Sequence, residues 1–489
     1  MGIQSNVIGS EPGQGIPPQV LDETLTLGKK EAVASSAMTA TCDNFINAFA
    51  IYLRATSLQL GWLTAIPQLT GAFMQLVSVW LDTYFSRKSL ILFCVYAQSL
   101  MLALMTLIAL WHGEGAIGWL VLVVIMYHAL TNLIQPQWRA WMGSIVPQRD
   151  RSVYFASRSR LTMAVSLVVF IGGGALLSIT DIYSLTWLGF SMLFSVAVAG
   201  RLLSARLLSA MHDPDNHPTL PEPDAFFSTL REVRHAMHDS TFRSYSLFVA
   251  GMQGAVAISA PFFAVYMLNE LEFTYLEFSL NSIASIATQF LTLSMWGRIG
   301  ERHGNRIMML GCSVALPIVP MLWMVMPNFY YLLLVQVISG LVWSGFNLST
   351  ANYLYDIRPH HTNFATYAAV QSAICAIFVF VGAIAGGLLA SAAPLIRDGL
   401  NLPLASALFL VFLISGLVRA GVLIWFIPHA EEPRIRTRPQ LLKIIFRVAR
   451  FNTISGLVLD WLTVTQKDPE KPYESSQEDS DDTDTPDNT

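Results

Sequence analysis

Asp43 has the clearest potential for chemistry, because it lies midway along an otherwise apolar stretch, residues 32–54. If that stretch spans a membrane, a charge at its centre costs about 2.5–3.5 kcal/mol and must face water or a partner. Asn44 adjoins it, and Asn47 lies one turn later on the same face of a continuous helix. Two interpretations stay open. Asp43 is either a protonatable or cation-binding group in a central cavity, or a carboxylate that pins the helix to an arginine or a backbone amide.

A second polar group follows helical spacing further along the chain. His128, Asn132, Gln135 and Arg139 are separated by four, three and four residues, which places them on one helical face. Such a stripe favours the wall of a wet cavity, and hydrogen bonding between helices is the alternative. Trp343 and Asn347 repeat part of this spacing, and the pair joins the cavity candidates.

Other chemistries lack their residues in this sequence. His235 with His238, and His360 with His361, have no third metal ligand at close spacing. We find no phosphate-binding loop of the G-x-x-x-x-G-K-[ST] type, no H-E-x-x-H and no G-x-S-x-G. The sequence therefore predicts no enzyme, no cofactor, no metal site and no direct use of ATP. The four cysteines lie in apolar segments without a CxxC pair and are expected to be free thiols.

Composition defines the elements that must position these residues. The 489 residues are 53% hydrophobic and 13% charged, which excludes an ordinary soluble enzyme and a disordered chain. Apolar stretches of membrane-spanning length recur, so the predicted class is an all-α polytopic membrane protein. Twelve spans are predicted: 32–54, 58–80, 89–111, 117–138, 158–180, 183–204, 243–268, 275–297, 305–327, 329–352, 366–391 and 403–427.

The basic residues predict the orientation of these spans. Of the 29 Lys and Arg, Arg54 and Arg397 fall in odd-numbered connections and Arg419 lies inside the twelfth span. The others belong to or border the N-terminus, the even-numbered connections and the C-terminal region, which places both termini in the cytoplasm. Short connections, and the lack of an N-glycosylation sequon outside a span, favour a bacterial inner (plasma) membrane.

Two bundles of six helices account for most of the predicted organisation. The predicted segments are a polar cytoplasmic N-terminus (1–30), an N-terminal bundle (31–204), a cytoplasmic linker with an amphipathic helix (205–242), a C-terminal bundle (243–427), an amphipathic helix on the membrane surface (428–465) and an acidic, disordered tail (466–489).

The two halves repeat each other. Ser78, Asp82 and Arg87 align with Gly297, Glu301 and Arg306 at an offset of 219, and Arg201 aligns with Arg419 at 218. Gln135 aligns with Asn347 at 212. These matches indicate an internal duplication, and parallel six-helix repeats with a site between them are a known transporter plan. Both aligned arginines, 201 and 419, are expected to have structural roles near the cytoplasmic helix ends.

The string from Gly297 to Arg306, G-x-x-x-E-R-x-G-x-R, resembles the signature loop of the major facilitator superfamily. A weaker copy follows the second span. The resemblance implies two six-helix bundles and alternating access. It also implies a gating role for the loop residues Asp82, Arg87, Gly297, Glu301, Arg302, Gly304 and Arg306. Gly or Ser at the helix end would allow close packing. Asp82 and Glu301 would act as conformational latches, with simple topology-setting charge as the alternative.

The predicted function is secondary active transport of a small solute, with proton coupling through Asp43. A facilitated uniporter of the same fold, and a membrane sensor or scaffold without transport, remain open. The expected partners are a small molecule, protons and the lipid bilayer. Nucleic acid is not expected, and the chain is expected to be monomeric. Nothing in the sequence identifies the solute.

Overall fold

The computed structural model describes residues 17–81, 84–111, 113–147, 151–213, 237–357, 364–401 and 403–429. All of them belong to one compact unit of the chain, Met1–Arg438. Regular structure in these ranges is entirely helical. Asp82, most of the predicted linker, the predicted surface helix and the acidic tail lie outside the described residues.

Six spans form the first half of the fold. The first consists of two helices, Pro18–Cys42 and Ile46–Tyr52. The second to sixth are Ser57–Leu81, Arg87–Trp111, Ala116–Ile145, Arg151–Ile182 and Thr186–Ala210. The first helix therefore begins fourteen residues before the predicted span, and it includes part of the segment that we expected to be a polar terminus.

Six further spans form the second half. The seventh is Ser240–Val265 with a π-helical end, Tyr266–Glu270, and the eighth is Tyr275–His303. The ninth consists of Asn305–Ala315 and Ile318–Leu322. The tenth, eleventh and twelfth are Phe329–Ile357, Phe364–Gly399 and Leu408–Phe426. Among the described residues, nine helices are long and apolar enough to cross a membrane, and the first, second and eighth spans are not among them.

The first span is interrupted at Asp43, where a continuous helix was predicted. Residues 43–45 form a turn, and Phe45 has φ −107° and ψ −5°. The Asn44 side chain donates to the Ala40 carbonyl at 3.2 Å. An amide that bonds a carbonyl four residues back competes with the helical ladder, which gives a physical reason for the break. The expectation that Asn47 shares a helical face with Asp43 assumed an unbroken helix and is corrected here.

The ninth span is also interrupted, in this case by prolines. Pro317 separates its two helices, and Pro320 has no N–H to donate to the carbonyl of Leu316. That carbonyl instead accepts a hydrogen bond from Arg419 at 3.0 Å. A side chain of the twelfth span therefore satisfies a backbone group that the helix cannot.

Helix packing confirms the two-bundle fold. In the first half the contacting pairs of spans include one with five, one with six, two with four, three with four, three with six and five with six. Adding six to every number gives pairs that also pack together in the second half. The same architecture therefore occurs twice, as the repeated sequence predicted.

Contacts between the halves join the second span to the eleventh and the fifth to the eighth. They gather at the predicted external end. Ser178 accepts a hydrogen bond from the Leu276 amide at 2.8 Å, and the rings of Phe170 and Phe278 meet edge to face. A Cβ atom at Gly61 would lie 2.8 Å from the Ala383 carbonyl oxygen. Glycine at position 61 therefore permits the close approach that holds the external end together.

Candidate functional site

Asp43 lies at the break of the first span, among polar side chains of two other spans. It lies close to Tyr127 and His128 of the fourth span and within electrostatic range of Arg201 of the sixth. The Tyr127 hydroxyl itself donates to the Met38 sulfur at 3.1 Å. The Asp43 side chain is nevertheless exposed. A carboxylate at mid-span requires water or polar partners, and Asp43 has an exposed side chain and polar neighbours.

The structure brings together the two sequence motifs that we singled out. His128 belongs to the polar stripe of the fourth span, and both His128 and its neighbour Tyr127 lie close to Asp43. The two aromatic rings contact each other edge to face, with centroids 5.1 Å apart. A titratable carboxylate, a phenol and an imidazole therefore share one site, and these groups can exchange protons and hydrogen bonds with a solute.

The rest of the fourth-span stripe divides into two environments. Asn132 is half-buried, donates to the His128 carbonyl at 2.9 Å and packs against Gly71 of the second span. This is the helix-packing arrangement that was the alternative to a cavity role. Gln135 and Arg139 are exposed. Asn132 therefore takes the hydrogen-bonding role, and the cavity role of Gln135 stays a prediction.

The tenth span repeats this arrangement. Asn347 is exposed, as is its repeat equivalent Gln135. Trp343 is half-buried and meets Phe346 edge to face, with ring centroids 5.7 Å apart. An exposed amide thus occurs at matching positions in both halves. Asn44 and Asn47, the other cavity candidates, are half-buried beside Asp43 in sequence.

Arg201 links the Asp43 site to the interior of the first bundle. It is 5% exposed and donates to the Gln98 side chain of the third span and to Ser204 of its own. Gln98 in turn donates to Thr131 of the fourth span at 2.6 Å. Arg201 therefore has definite hydrogen-bond partners inside the bundle, as its expected structural role requires.

Glu31 forms the other end of this network and was not singled out from the sequence. It is 4% exposed, pairs with Arg158 of the fifth span at 2.9 Å and accepts from Ser204 at 3.0 Å. The Arg158 guanidinium also lies 4.4 Å from the centre of the Trp138 ring, where a cation–π contact is favourable. A buried carboxylate thus finds the opposite charge that it requires.

Arg419 is the second-half counterpart of Arg201. It is 2% exposed and donates to the Leu316 carbonyl and to the Ser259 hydroxyl, each at 3.0 Å. Gln98 and Leu316 are separated by the same offset as the two arginines, so both arginines reach the same point of the repeat. At that offset Asp43 aligns with Pro261, and Ser259 lies two residues before it.

The better-preserved signature loop adopts a defined conformation. Gly304 has a φ of +86°, which favours glycine, and it ends the eighth span. Asn305 donates to Asp356 of the tenth span at 2.7 Å. Glu301 and Arg302 are exposed, and Arg306 is half-buried. Arg87, at the first loop, donates to Ser144 at 3.5 Å.

One expectation about the loops is wrong. A Cβ atom at Gly297 would meet nothing within 4 Å, so this glycine faces open space and does not serve close helix packing here. The reason is that the close approach between the halves lies at the opposite end of the spans. Asp82 lies outside the described residues, and its latch role stays a prediction.

The comparisons with known proteins agree with this fold. Residues 244–465 match the family model of the Major Facilitator Superfamily. No curated protein matches the chain at a significant level. The family match covers the second half, which also carries the better-preserved copy of the signature loop.

Solved structures of similar fold include transporters of several kinds. A point mutant of the nucleoside transporter NupG is 14% identical over 84% of this chain and 100% of its own, with a TM-score of 0.62. A bacterial homologue of the iron transporter ferroportin, in an inward-facing state, is 14% identical over 85% and 99%, with a TM-score of 0.65. A bacterial homologue of the human lysosomal transporter Spinster, inward-facing and unoccupied, is 15% identical over 85% and 96%, with a TM-score of 0.62.

Proposed function

We propose that this multi-pass membrane protein, whose resemblance to the major facilitator superfamily is confirmed by its fold and by the family match, is a secondary transporter. It moves a small solute by alternating access of its two bundles. Proton movement through Asp43 drives the transport. The proposal assigns no catalysed reaction to the chain.

The observation that carries the proposal is the environment of Asp43. An exposed carboxylate lies at a helix break near mid-membrane, close to Tyr127 and His128. Interrupted helices at the midplane are a recurring feature of transporter binding sites. The external ends of the halves are packed together, so the described arrangement supports an inward-facing state in which protons exchange with the cytoplasm.

Two alternatives differ in what they predict. A uniporter of the same fold would carry solute down its gradient and ignore a pH difference. A sensor or scaffold would bind its ligand without moving it. Polar side chains exposed within the spans, such as Gln135 and Asn347, favour the two transporting alternatives over the third.

The test begins with a ligand screen. Purified protein in detergent is heated with candidate solutes, and specific stabilisation identifies a binder because binding shifts the unfolding equilibrium. Nucleosides and iron salts are natural first probes, since the similar structures include a nucleoside transporter and a bacterial homologue of an iron transporter. The binder is then followed into liposomes with and without a pH gradient. Uptake that the gradient leaves unchanged would favour the uniporter, and binding without uptake would favour the sensor.

The orientation is a further part of the proposal. We propose that both termini lie on the cytoplasmic side of a bacterial inner membrane, because the basic residues concentrate in the even-numbered connections. We expect cytoplasmic reporters fused after residues 88, 220, 302 and 450 to be active, and fusions after 113 and 398 to report an external location. Cytoplasmic activity at 113 would contradict the twelve-span topology.

The latch hypothesis predicts a measurable shift for Glu301→Gln. Glu301 is exposed at the end of the eighth span, so its neutralisation costs little in the described state. If it pairs when the cytoplasmic ends close, its loss should favour the inward-facing state by up to about fivefold, the size of an exposed ion pair. Labelling of Asn47→Cys from outside should then fall. The control is Glu114→Gln, which removes an exposed carboxylate on the predicted external side. Equal labelling in both variants would show that the charge of Glu301 only helps to set the topology and does not act as a latch.

A further inference from the structure

The fifth and eighth spans meet in a contact between the halves that we call the external gate. It consists of Gly174 and Ser178 in the fifth span and Tyr275, Leu276 and Ser279 in the eighth. A Cβ atom at Gly174 would lie 2.7 Å from the Ser279 Cβ and 2.9 Å from the Tyr275 carbonyl oxygen, so the two helices touch directly. Because the two spans belong to different halves, the polar groups of the external gate exchange their partners when this end opens.

Ser178 satisfies a backbone group of the opposite half. The first N–H groups of a helix have no acceptor within that helix. At the start of the eighth span, Thr274 and Glu277 satisfy each other: the Thr274 hydroxyl accepts from the Glu277 amide at 3.2 Å, and the Glu277 carboxylate accepts from the Thr274 amide at 2.9 Å. The Leu276 amide donates instead to the Ser178 hydroxyl at 2.8 Å. This bond exists only while the two halves are in contact.

The same contact encloses a hydroxyl in the opposite situation. Ser279 is 0% exposed, and within the part of the chain that the structure describes its hydroxyl has no hydrogen-bond partner. Ser282, one turn later, donates to the carbonyl of Phe278 at 3.0 Å, whereas the Ser279 hydroxyl is directed at Gly174. A buried hydroxyl without a partner is unfavourable, and water relieves this cost when the helices separate.

A permanent contact would have no need of this serine. Alanine has the same Cβ atom as Ser279, so it would occupy the contact without burying a hydroxyl. An interface that must open and close repeatedly, by contrast, requires two states of similar free energy. The bond at Ser178 stabilises the closed state, and the enclosed hydroxyl of Ser279 destabilises it.

We propose that these two serines set the balance of the external gate in opposite directions: Ser178 favours the closed state and Ser279 favours opening. The inference rests on the alternating access of the proposed function, and it is independent of the proton coupling and of the identity of the solute. Neither serine is assigned to the binding of solute.

The test measures opening of the full-length protein in intact bacterial cells, in buffer without added solute. Asn47→Cys in a Cys375→Ser background is labelled from outside by a maleimide that does not cross the inner membrane. Asn47 is half-buried in the closed state, so the labelling rate follows the open population. Ser178→Ala should be labelled about 2- to 10-fold faster, because the bond that favours closure is lost. Ser279→Ala should be labelled about fivefold more slowly, because the closed state no longer encloses an unsatisfied hydroxyl.

Two further serines are matched controls. The Ser282 hydroxyl bonds within its own helix, so Ser282→Ala removes a bond that both states contain. Ser246 is also 0% exposed and has no hydroxyl partner among the described residues, but it lies within two turns of the predicted cytoplasmic end of the seventh span. Both Ser282→Ala and Ser246→Ala should be labelled at the rate of the parent.

A merely structural contact would not respond in opposite directions to the loss of two neighbouring hydroxyls. Unchanged rates in Ser178→Ala and Ser279→Ala, or changes in the same direction, would overturn the inference if Gly61→Val, which overpacks the other contact between the halves, still accelerates labelling. Equal rates in every variant, Gly61→Val included, would instead contradict alternating access and with it the proposed function.

Discussion

Asp43→Asn is expected to abolish accumulation of solute against its gradient while preserving binding and exchange. The substitution keeps the shape and much of the hydrogen bonding of the side chain, but the amide cannot carry a proton. One pH unit corresponds to about 1.36 kcal/mol per proton, which can sustain about a tenfold concentration ratio. The variant should therefore reach a ratio of about one where the wild type reaches about ten. Proteoliposomes with an imposed gradient of one pH unit and the solute found in the screen give this measurement.

The controls separate loss of coupling from other defects. Asp398→Asn removes an exposed carboxylate that pairs with Arg397, and it should accumulate solute normally. Gln135→Ala should weaken solute binding itself without uncoupling, because this exposed amide is a cavity candidate with no proton to carry. Normal accumulation by Asp43→Asn would show that the coupling assignment is wrong. A variant that does not insert or fold would favour the pinning role of this carboxylate.

Much of the fold could be predicted because it depends on patterns that a single sequence contains. Apolar length, the distribution of Lys and Arg, and the nearly constant repeat offset predict helices, halves and their correspondence. The packing of the spans repeats with the same period in the structure. Neither break was predicted, because hydropathy reports where an apolar segment lies and not whether its helix is continuous. At Asp43 the continuity depends on the Asn44 amide, which competes for a backbone carbonyl. At Pro317 it depends on prolines that lack an N–H donor.

Only part of the candidate site could be predicted from the sequence, for a related reason. Asp43 and His128 stand out as polar residues in apolar stretches, and the structure brings them together. Glu31 follows two lysines at the edge of an apolar stretch, so the sequence alone suggested that it belongs to a polar terminus. The signal that could have found it is the small-residue run after it, since a helix continued backward from that run places Glu31 inside the bundle.

Tyr127 illustrates the remaining limit. A tyrosine in a membrane helix is ordinary as a residue type, and its role comes from the contact with Asp43, three spans earlier in the chain. Arg201 was recognised as a repeat position, but its partners Gln98 and Ser204 follow from side-chain directions that spacing does not give. Contacts between distant spans therefore mark the boundary of what a single sequence predicts.

Gly61→Val is expected to open the external end. The added Cβ would lie 2.8 Å from the Ala383 carbonyl oxygen and 3.3 Å from the Gly387 Cα. Both neighbours are backbone atoms of the eleventh span, so they cannot turn aside as a side chain could. The resulting overpacking costs about 1–3 kcal/mol in the externally closed state, and the two spans separate when the external end opens. The population should shift toward the outward-facing state by about 5–150-fold.

A cysteine at Asn47 reports this shift, because the residue follows Asp43 toward the predicted external end and is half-buried in the closed state. Cys375→Ser is added, since Cys42, Cys94 and Cys312 are buried and Cys375 is half-buried. Labelling by a membrane-impermeant maleimide from outside should become faster in Gly61→Val. Gly172→Val is the matched control, because a Cβ atom there would meet nothing within 4 Å. Equal labelling rates in both variants would mean that the contact at Gly61 does not hold the external end closed.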